Sequence, residues 1–196
     1  FNATLTFTAT GVSTQTWTSV SSLTGLAVGM TLSGTNCAAG TKIADFLSGT
    51  SIFVSQASTG ALGTITAVGD TINIALFTTS LTGTYDSTTT NYTNMTGNSD
   101  EVPNGSGYTT GGVAMVNVSP TTSSTTAYVD FTPDPSWTSA TFSTTGAMIY
   151  NASQRGPVAT RAVSVHDFGG TQSVSSGTFT AVMPTAAAST AILRIQ

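Results

Sequence analysis

The feature that most constrains the fold of this chain is a strict alternation of apolar and small polar residues. The stretch 161–170 alternates in this way, and so does the stretch 146–151 that precedes it. A period of two places successive side chains on opposite faces of a β-strand. Between the two stretches, Gly156 and Pro157 mark a loop. We therefore expect a central hairpin in which one face carries Ala147, Ile149, Ala162, Ser164 and His166, and the other carries Met148, Tyr150, Val163, Val165 and Asp167.

The same alternation recurs along the chain, and no segment shows a helical period of useful length. Thr and Ser supply about a third of the residues, and Thr favours half-exposed strands. The pattern predicts an all-β protein with two domains. Residues 1–70 would form a small N-terminal β-barrel-like module, and residues 71–196 an antiparallel β-sandwich or jelly-roll-like domain. Strands are expected at 5–9, 39–43, 51–55, 64–68, 71–77, 112–118, 126–131, 139–143, 146–151, 161–170, 177–183 and 191–195, and residues 23–34 are expected to form a unit of turns and a strand.

Residues 78–112 break the pattern, because the segment consists mostly of Thr, Ser, Asn and Gly. A structureless stretch of this length is unusual inside a compact domain. We interpret it as a long arm or loop that packs on a partner. Its interface side chains would be Tyr85, Tyr92, Met95 and Tyr108.

The charge of the chain argues against two classes of partner. Charged residues make up 6% of the chain and the net charge is −4. The permanent cations are Lys42, Arg155, Arg161 and Arg194. Four scattered cations do not form the basic patch that nucleic acids or anionic membranes require, so we expect neither partner.

We expect no catalytic, cofactor-binding or metal-binding residues. Cys37 is the single cysteine and is expected to be a small buried residue. A zinc site needs more ligands than one Cys and one His provide. Asp100 and Glu101, with Asp86 upstream, could offer oxygens to Ca²⁺, but their spacing matches no defined calcium loop. A solvated turn is the preferred interpretation.

Three further sets of residues suggest specific roles. Arg161 is expected to form a structural ion pair with Asp130 or Asp167, because a guanidinium matches a carboxylate in two-pronged geometry. Ser164 and His166 share a face, but a hydrolytic triad also needs an orienting acid and an oxyanion hole, so a structural role is preferred. Aromatic rings can stack on sugars, and Trp17, in a Thr-rich run, is the best candidate for an exposed ring.

The N-terminal segment resembles a small β-module that is common in phage virion proteins and tail fibres. The resemblance covers about residues 20–58. It is carried by Gly25, Leu26, Val28, Gly29, Met30, Leu32, Ser33, Gly34, Ala39, Gly40, Thr41, Ile43, Ile52, Val54, Ser55 and Ala57.

The remainder of the chain resembles a family of tailed-phage structural proteins. The resemblance runs in order over about residues 71–196. It is carried by the segments 72–79, 100–102, 105–112, 127–131, 137–141, 146–151, 161–170, 177–179 and 192–195.

These resemblances imply a virion component rather than an enzyme. The leading hypothesis is a capsid decoration (cement) protein, a homotrimer that binds the major capsid protein on the outer surface of the head. A tail or fibre component, or a module that binds host-surface glycans, is the alternative. A polysaccharide-degrading enzyme would need paired acids in a cleft, and the spacing of the carboxylates does not suggest them.

Overall fold

The structure of the chain, a computed structural model, describes residues 4–116, 121–131, 133–153, 160–185 and 187–195. The chain divides into two compact units, Phe1–Asp70 and Thr71–Gln196. Nearly all regular secondary structure is β-strand, and each paired strand runs antiparallel to its neighbour. The predicted all-β fold is confirmed.

The first unit consists of two three-stranded sheets. Its strands are β1 (Leu5–Thr8), β2 (Thr16–Trp17), β3 (Thr31–Gly34), β4 (Ile43–Phe46), β5 (Ile52–Val54) and β6 (Thr64–Val68). One sheet has the order β1-β6-β3 and the other has the order β2-β5-β4. Isolated bridges between Thr10 and Thr18 and between Thr31 and Lys42 connect neighbouring segments. The described residues of this unit therefore form two small sheets, and no closed barrel is found among them.

The core of the first unit contains Trp17. Its indole ring is 0% exposed, and its Nε1 donates a hydrogen bond to the Thr14 carbonyl oxygen at 3.2 Å. The expectation that Trp17 is exposed is wrong, because a module this small needs its largest apolar ring to build a core. Cys37 is half-buried at the margin of this core, rather than buried as expected. Burial raises the pKa of its thiol.

The second unit contains two sheets and one short helix. Its elements are β7 (Ile72–Leu76), α1 (Thr93–Gly97), β8 (Val113–Met115), β9 (Thr121–Ser123), β10 (Thr126–Val129), β11 (Ser136–Asn151), β12 (Ala162–Thr180) and β13 (Leu193–Ile195). The four-stranded sheet has the order β12-β11-β7-β8, and the three-stranded sheet has the order β13-β10-β9. β7 carries apolar residues on both of its faces and lies between β11 and β8, which is typical of a central strand.

The central hairpin is longer than the sequence pattern indicated. β11 spans 16 residues and β12 spans 19. Ala147 pairs with His166 and Ile149 pairs with Ser164, but a register shift follows, so that Tyr150 pairs with Ala162. Because of this irregularity, Ala162 and Ser164 lie on opposite faces of the sheet, contrary to the expected alternation. Ala162 packs against the buried cluster that contains Met148 and Tyr150.

Both faces of the four-stranded sheet are buried at its centre. One face carries a cluster of Ala75, Phe77, Met95, Met148 and Tyr150. Met95 belongs to α1, so the segment 78–112 folds back and covers this face of its own sheet. The opposite face buries Ile72, Ile74, Leu76, Ala147 and Ile149.

Candidate functional site: a cleft along the edge strand

A cleft of the second unit lies between the loop after β7 and the outer strand β12. Its volume is about 640 Å³. The loop contributes Leu81, Tyr85 and Asp86, and the other wall consists of residues 162–167 of β12. Six consecutive residues of one strand border the cleft, so it follows the strand lengthwise.

The cleft begins beside a short stretch in which residues 90–92 pair with residues 160–162, at the start of β12. Asn91 and Arg161 form an antiparallel bridge. Next to it, the Tyr92 N–H donates to the Thr160 carbonyl oxygen at 2.8 Å, and the Ala162 N–H donates to the Thr90 carbonyl oxygen at 3.0 Å. This short pairing covers only the first residues of the strand.

A tight turn then directs the loop away from β12. The Thr89 N–H donates to the Asp86 carbonyl oxygen at 3.1 Å, and the Thr88 N–H donates to the Asp86 carboxylate at 2.8 Å. Hydrogen bonds from the side chain and N–H of Thr88 lower the pKa of Asp86, so this carboxylate is ionised at neutral pH. Asp86 thus brings a negative charge to the rim of the cleft.

The loop is fixed in place by Asp100, whose buried side chain accepts hydrogen bonds from three residues of the described segment 78–112. Its carboxylate accepts hydrogen bonds from the N–H of Thr82 at 2.9 Å and of Gly83 at 2.8 Å, and from the hydroxyl of Tyr85 at 2.7 Å. Burial raises the pKa of Asp100, but the hydrogen bonds from Tyr85, Gly83 and Thr82 together outweigh it, and the net result is a lowered pKa. The same contact and burial raise the pKa of Tyr85 to about 12.

Glu101 forms a second buried carboxylate cluster beside the first. It accepts hydrogen bonds from the Tyr108 hydroxyl at 2.7 Å, from the Gly111 N–H at 2.7 Å, and from the Tyr92 hydroxyl. Burial, with the Glu101 charge nearby, raises the pKa values of Tyr92 and Tyr108, so both remain protonated donors. The Asp100–Glu101 turn is therefore buried, and the expectation of a solvated turn is wrong.

These two clusters correct the interpretation of residues 78–112 as an interface arm. Met95 and Tyr108 are 0% and 2% exposed within their own chain. Tyr92 stacks on Tyr150 with ring centroids 4.3 Å apart, and Tyr85 packs on Phe77 at 4.4 Å. The hydroxyl groups of the three tyrosines donate to buried carboxylates and Met95 packs in the core, so all four side chains contribute to the fold of their own unit. Met95 and Tyr108 are buried and not available to a partner in this fold, whereas the half-buried Tyr85 also lines the cleft.

The Ser164 and His166 side chains lie on the strand that borders the cleft. The Ser164 hydroxyl and His166 Nε2 are 2.8 Å apart. Burial lowers the pKa of His166, so the imidazole is neutral at neutral pH and can accept the hydroxyl proton. Among the hydrogen bonds of the described residues, none joins a carboxylate to this ring. The pair is a hydrogen-bonded dyad without the orienting acid of a triad.

The predicted ion pair of Arg161 is not formed. Arg161 and Asp167 are exposed, and the Asp167 carboxylate accepts the Gly169 N–H at 2.8 Å. Asp130 is 0% exposed, its Oδ1 accepts the Phe131 N–H, and its Oδ2 has no hydrogen-bond partner in the described structure. The prediction is wrong because Arg161 lies at the outer edge of β12, where the Asn91 bridge places it at the surface.

A second, more apolar hollow lies where β12 meets the residues that follow it. Its volume is about 460 Å³, and Phe168, Phe179 and Met183 are among its lining residues. Phe179 also contacts Trp137, which is 3% exposed. The aromatic rings here belong to one packed group, so the hollow is a margin of the core.

Comparison with protein-family models, with curated proteins and with solved structures gives no match. Within the described residues, no helix has the length and apolarity needed to cross a membrane. Within the same residues, no group of three or more His, Cys, Asp or Glu side chains is arranged to hold a metal ion.

The site could be predicted from the sequence only in part. Ser164 and His166 were correctly placed on one face by alternation. The carboxylate clusters were missed, although a signal existed: Asp100 and Glu101 stand in a segment rich in Tyr and almost free of cations. Buried carboxylates in such a segment must take their hydrogen bonds from hydroxyl and N–H donors.

Proposed function

We propose that this protein is a structural component of a phage virion, a capsid decoration protein that binds the major capsid protein on the outer surface of the head. The observation that carries the proposal is the position of the residues that resemble tailed-phage structural proteins. The segments 146–151 and 161–170 lie in β11 and β12 and pair with each other at the centre of the second unit. The resemblance is thus carried by the residues that build the sheet.

The mechanism would be mass action on an assembled shell. A protein that binds only the assembled state stabilises it by the free energy of binding. Symmetric repetition of contacts of about 1,600 Å² each would let individually modest contacts stabilise a large particle. A trimer fits this role because it can occupy three-fold positions of a shell.

The electrostatics of the second unit are compatible with exposure to variable salt. Its buried carboxylates Asp100 and Glu101 are satisfied by N–H and hydroxyl donors. Salt screens interactions between exposed charges over about 10 Å at 0.1 M, and buried hydrogen bonds much less. A fold held in this way would change little between dilute and concentrated media.

A tail or fibre component that contacts host-surface glycans is the second candidate. The cleft beside β12 favours it, because hydroxyl groups, the Asp86 carboxylate and the Tyr85 ring line one groove. Sugar recognition commonly combines aromatic faces with polar groups.

Copy number in purified virions distinguishes the candidates. We would measure it by quantitative mass spectrometry against the major capsid protein. Hundreds of copies per particle are expected for a decoration protein of the head. A number near three, six or twelve would assign the protein to the tail, and absence from the particle would refute both virion roles.

A further inference from the structure

The outer edge of β12 is an unpaired strand edge beside a cleft. β12 is the last strand in the order β12-β11-β7-β8. Asn91 pairs with Arg161 at the start of this edge, and within the described residues no strand pairs with it from Val163 to Asp167. An exposed strand edge presents N–H and C=O groups to which an extended chain can bind.

The direction of the β11 main chain can be read from two hydrogen bonds. The Gly146 carbonyl oxygen accepts the Phe77 N–H from the β7 side, and the Asn151 N–H donates to the Arg161 carbonyl oxygen on the β12 side. Main-chain groups alternate in direction along a strand. Ala147 and Ile149 therefore direct their main-chain groups towards β12.

The direction of the β12 main chain follows from this assignment. His166 and Ser164 are the partners of Ala147 and Ile149, so their N–H and C=O groups point at β11. Val165 and Asp167 alternate with them and direct their N–H and C=O groups outward, along the cleft. The outward main-chain N–H and C=O groups of these two residues therefore lie at the strand edge that borders the cleft.

The residues that line the cleft carry charge of one sign. Asp86 lies on the loop wall and Asp167 on the strand wall, and the lining residues that the structure describes include no Lys or Arg. A peptide with a basic side chain would be attracted to this groove, whereas an acidic one would be repelled.

We propose that the cleft is a docking groove for an extended peptide segment of another protein that carries a Lys or Arg residue. The segment adds an antiparallel strand to β12 at Val165 and Asp167, continuing the line of pairing that residues 90–92 begin. Its basic side chain lies between Asp86 and Asp167. The groove does not depend on the virion role, because its features are those of the sheet edge itself.

The test uses the full chain and a fluorescein-labelled pentapeptide of alternating Thr and Val around a central Lys, with binding followed by fluorescence anisotropy. We expect saturable binding that V165P weakens at least tenfold, because proline removes the outward N–H of the edge. V165A is the matched control: it shortens the same side chain but keeps the N–H, and binding should remain within about threefold. Circular dichroism and the melting temperature of each variant verify that edge proline is tolerated.

The charge requirement has its own variants. D86N and D167N together should weaken the Lys peptide at least tenfold, while D45N in the first unit should leave binding unchanged. A peptide with Glu in place of Lys, and a Lys peptide with N-methylated alternate amides, should both bind at least tenfold more weakly.

Four results of the peptide-binding experiments would overturn the proposal. They are equal binding by V165P and V165A, equal binding of the N-methylated peptide, equal binding of the Glu peptide, and absence of any binding to the wild-type chain. Sedimentation velocity, which measures self-association, tests whether a second copy of the chain occupies the groove. If V165P but not V165A abolished self-association, a second copy of the chain would fill the groove and the proposed basic segment of another protein would be rejected.

Discussion

At the scale of single residues, the second unit depends on buried carboxylates that accept hydrogen bonds from the N–H and hydroxyl groups of described residues. Glu101 is 9% exposed and accepts hydrogen bonds from two tyrosine hydroxyls and the Gly111 N–H. Hydrogen bonds to a charged group are stronger than those between neutral groups. Because three donors converge on one carboxylate, its charge is expected to matter more than its shape.

Glu101→Gln tests this expectation. The neutral amide keeps the shape but weakens each accepted hydrogen bond, and its NH₂ group meets donors instead of acceptors. We expect the free energy of unfolding to fall by about 2 kcal/mol in urea denaturation. Tyr92→Phe, which removes one donor, should cost about 1 kcal/mol. A Glu101→Gln protein as stable as the wild type would mean that the carboxylate charge does not hold the loop.

Asp100 predicts how stability depends on pH. Its pKa is lowered in the folded chain, so the unfolded chain binds more protons in the interval between the two pKa values. The contribution of Asp100 to stability is therefore fully present above the unfolded pKa, about 3.9, and is lost as pH falls through the folded value. We expect urea unfolding between pH 7 and pH 2.5 to show this loss in the wild type and a shallower loss in Asp100→Asn. The exposed Asp45→Asn change serves as the control, and an identical pH profile for Asp100→Asn would contradict the assignment.

At the scale of elements, α1 attaches the segment 78–112 to the sheet of its own unit. Met95 is 0% exposed and packs with Met148 and Tyr150. Met95→Ala should lower the free energy of unfolding of the isolated chain by about 2–5 kcal/mol, through lost burial and the cavity that remains. The exposed Leu81→Ala change in the same segment is the control and should cost much less. Were Met95 a contact to a partner, its replacement would weaken assembly and leave the thermal stability of the isolated chain unaltered.

The elements show which parts of the fold the sequence could predict. The residue pattern located β1, β7 and β10. Phe7 of β1 is buried between exposed threonines, whereas four of the five residues of β7 are buried, as the apolar residues on both of its faces indicate. The pattern divided β11 and β12 into shorter strands, because the Thr-, Ser- and Gly-rich middle of each lacks apolar residues while cross-strand pairing continues through it. α1 was missed because a five-residue helix leaves no period to detect.

The site was less predictable than the fold, for reasons that are also physical. The register shift between Ile149 and Tyr150 places Ala162 on the opposite face of the sheet from Ser164, and no residue type in the sequence indicates this shift. The small number of charges suggested a pair of Arg161 with Asp130 or Asp167, yet Arg161 and Asp167 are exposed and Asp130 is buried. Contacts between the loop 78–112 and the sheet join residues that are far apart in the sequence, and local sequence patterns do not indicate such contacts.

At the scale of the whole molecule, the two units can be observed separately because each contains one of the two tryptophans. Trp17 lies in the first unit and is 0% exposed, and Trp137 lies in the second and is 3% exposed. Burial makes the fluorescence of each ring sensitive to the unfolding of its own unit. Trp137→Phe therefore reports on the first unit, and Trp17→Phe on the second.

We expect these two variants to show different urea midpoints. Small domains bury a smaller fraction of their surface, so the 70-residue unit should unfold at the lower urea concentration and with the smaller slope. The wild type, followed by both rings at once, should then show two transitions at the same two midpoints. Each Phe substitution lowers the stability of the unit in which it is made. The remaining tryptophan lies in the other, unaltered unit, so the midpoint that is compared is that of the unaltered unit. Coincident midpoints in both variants and a single transition in the wild type would instead show that the units unfold as one cooperative structure.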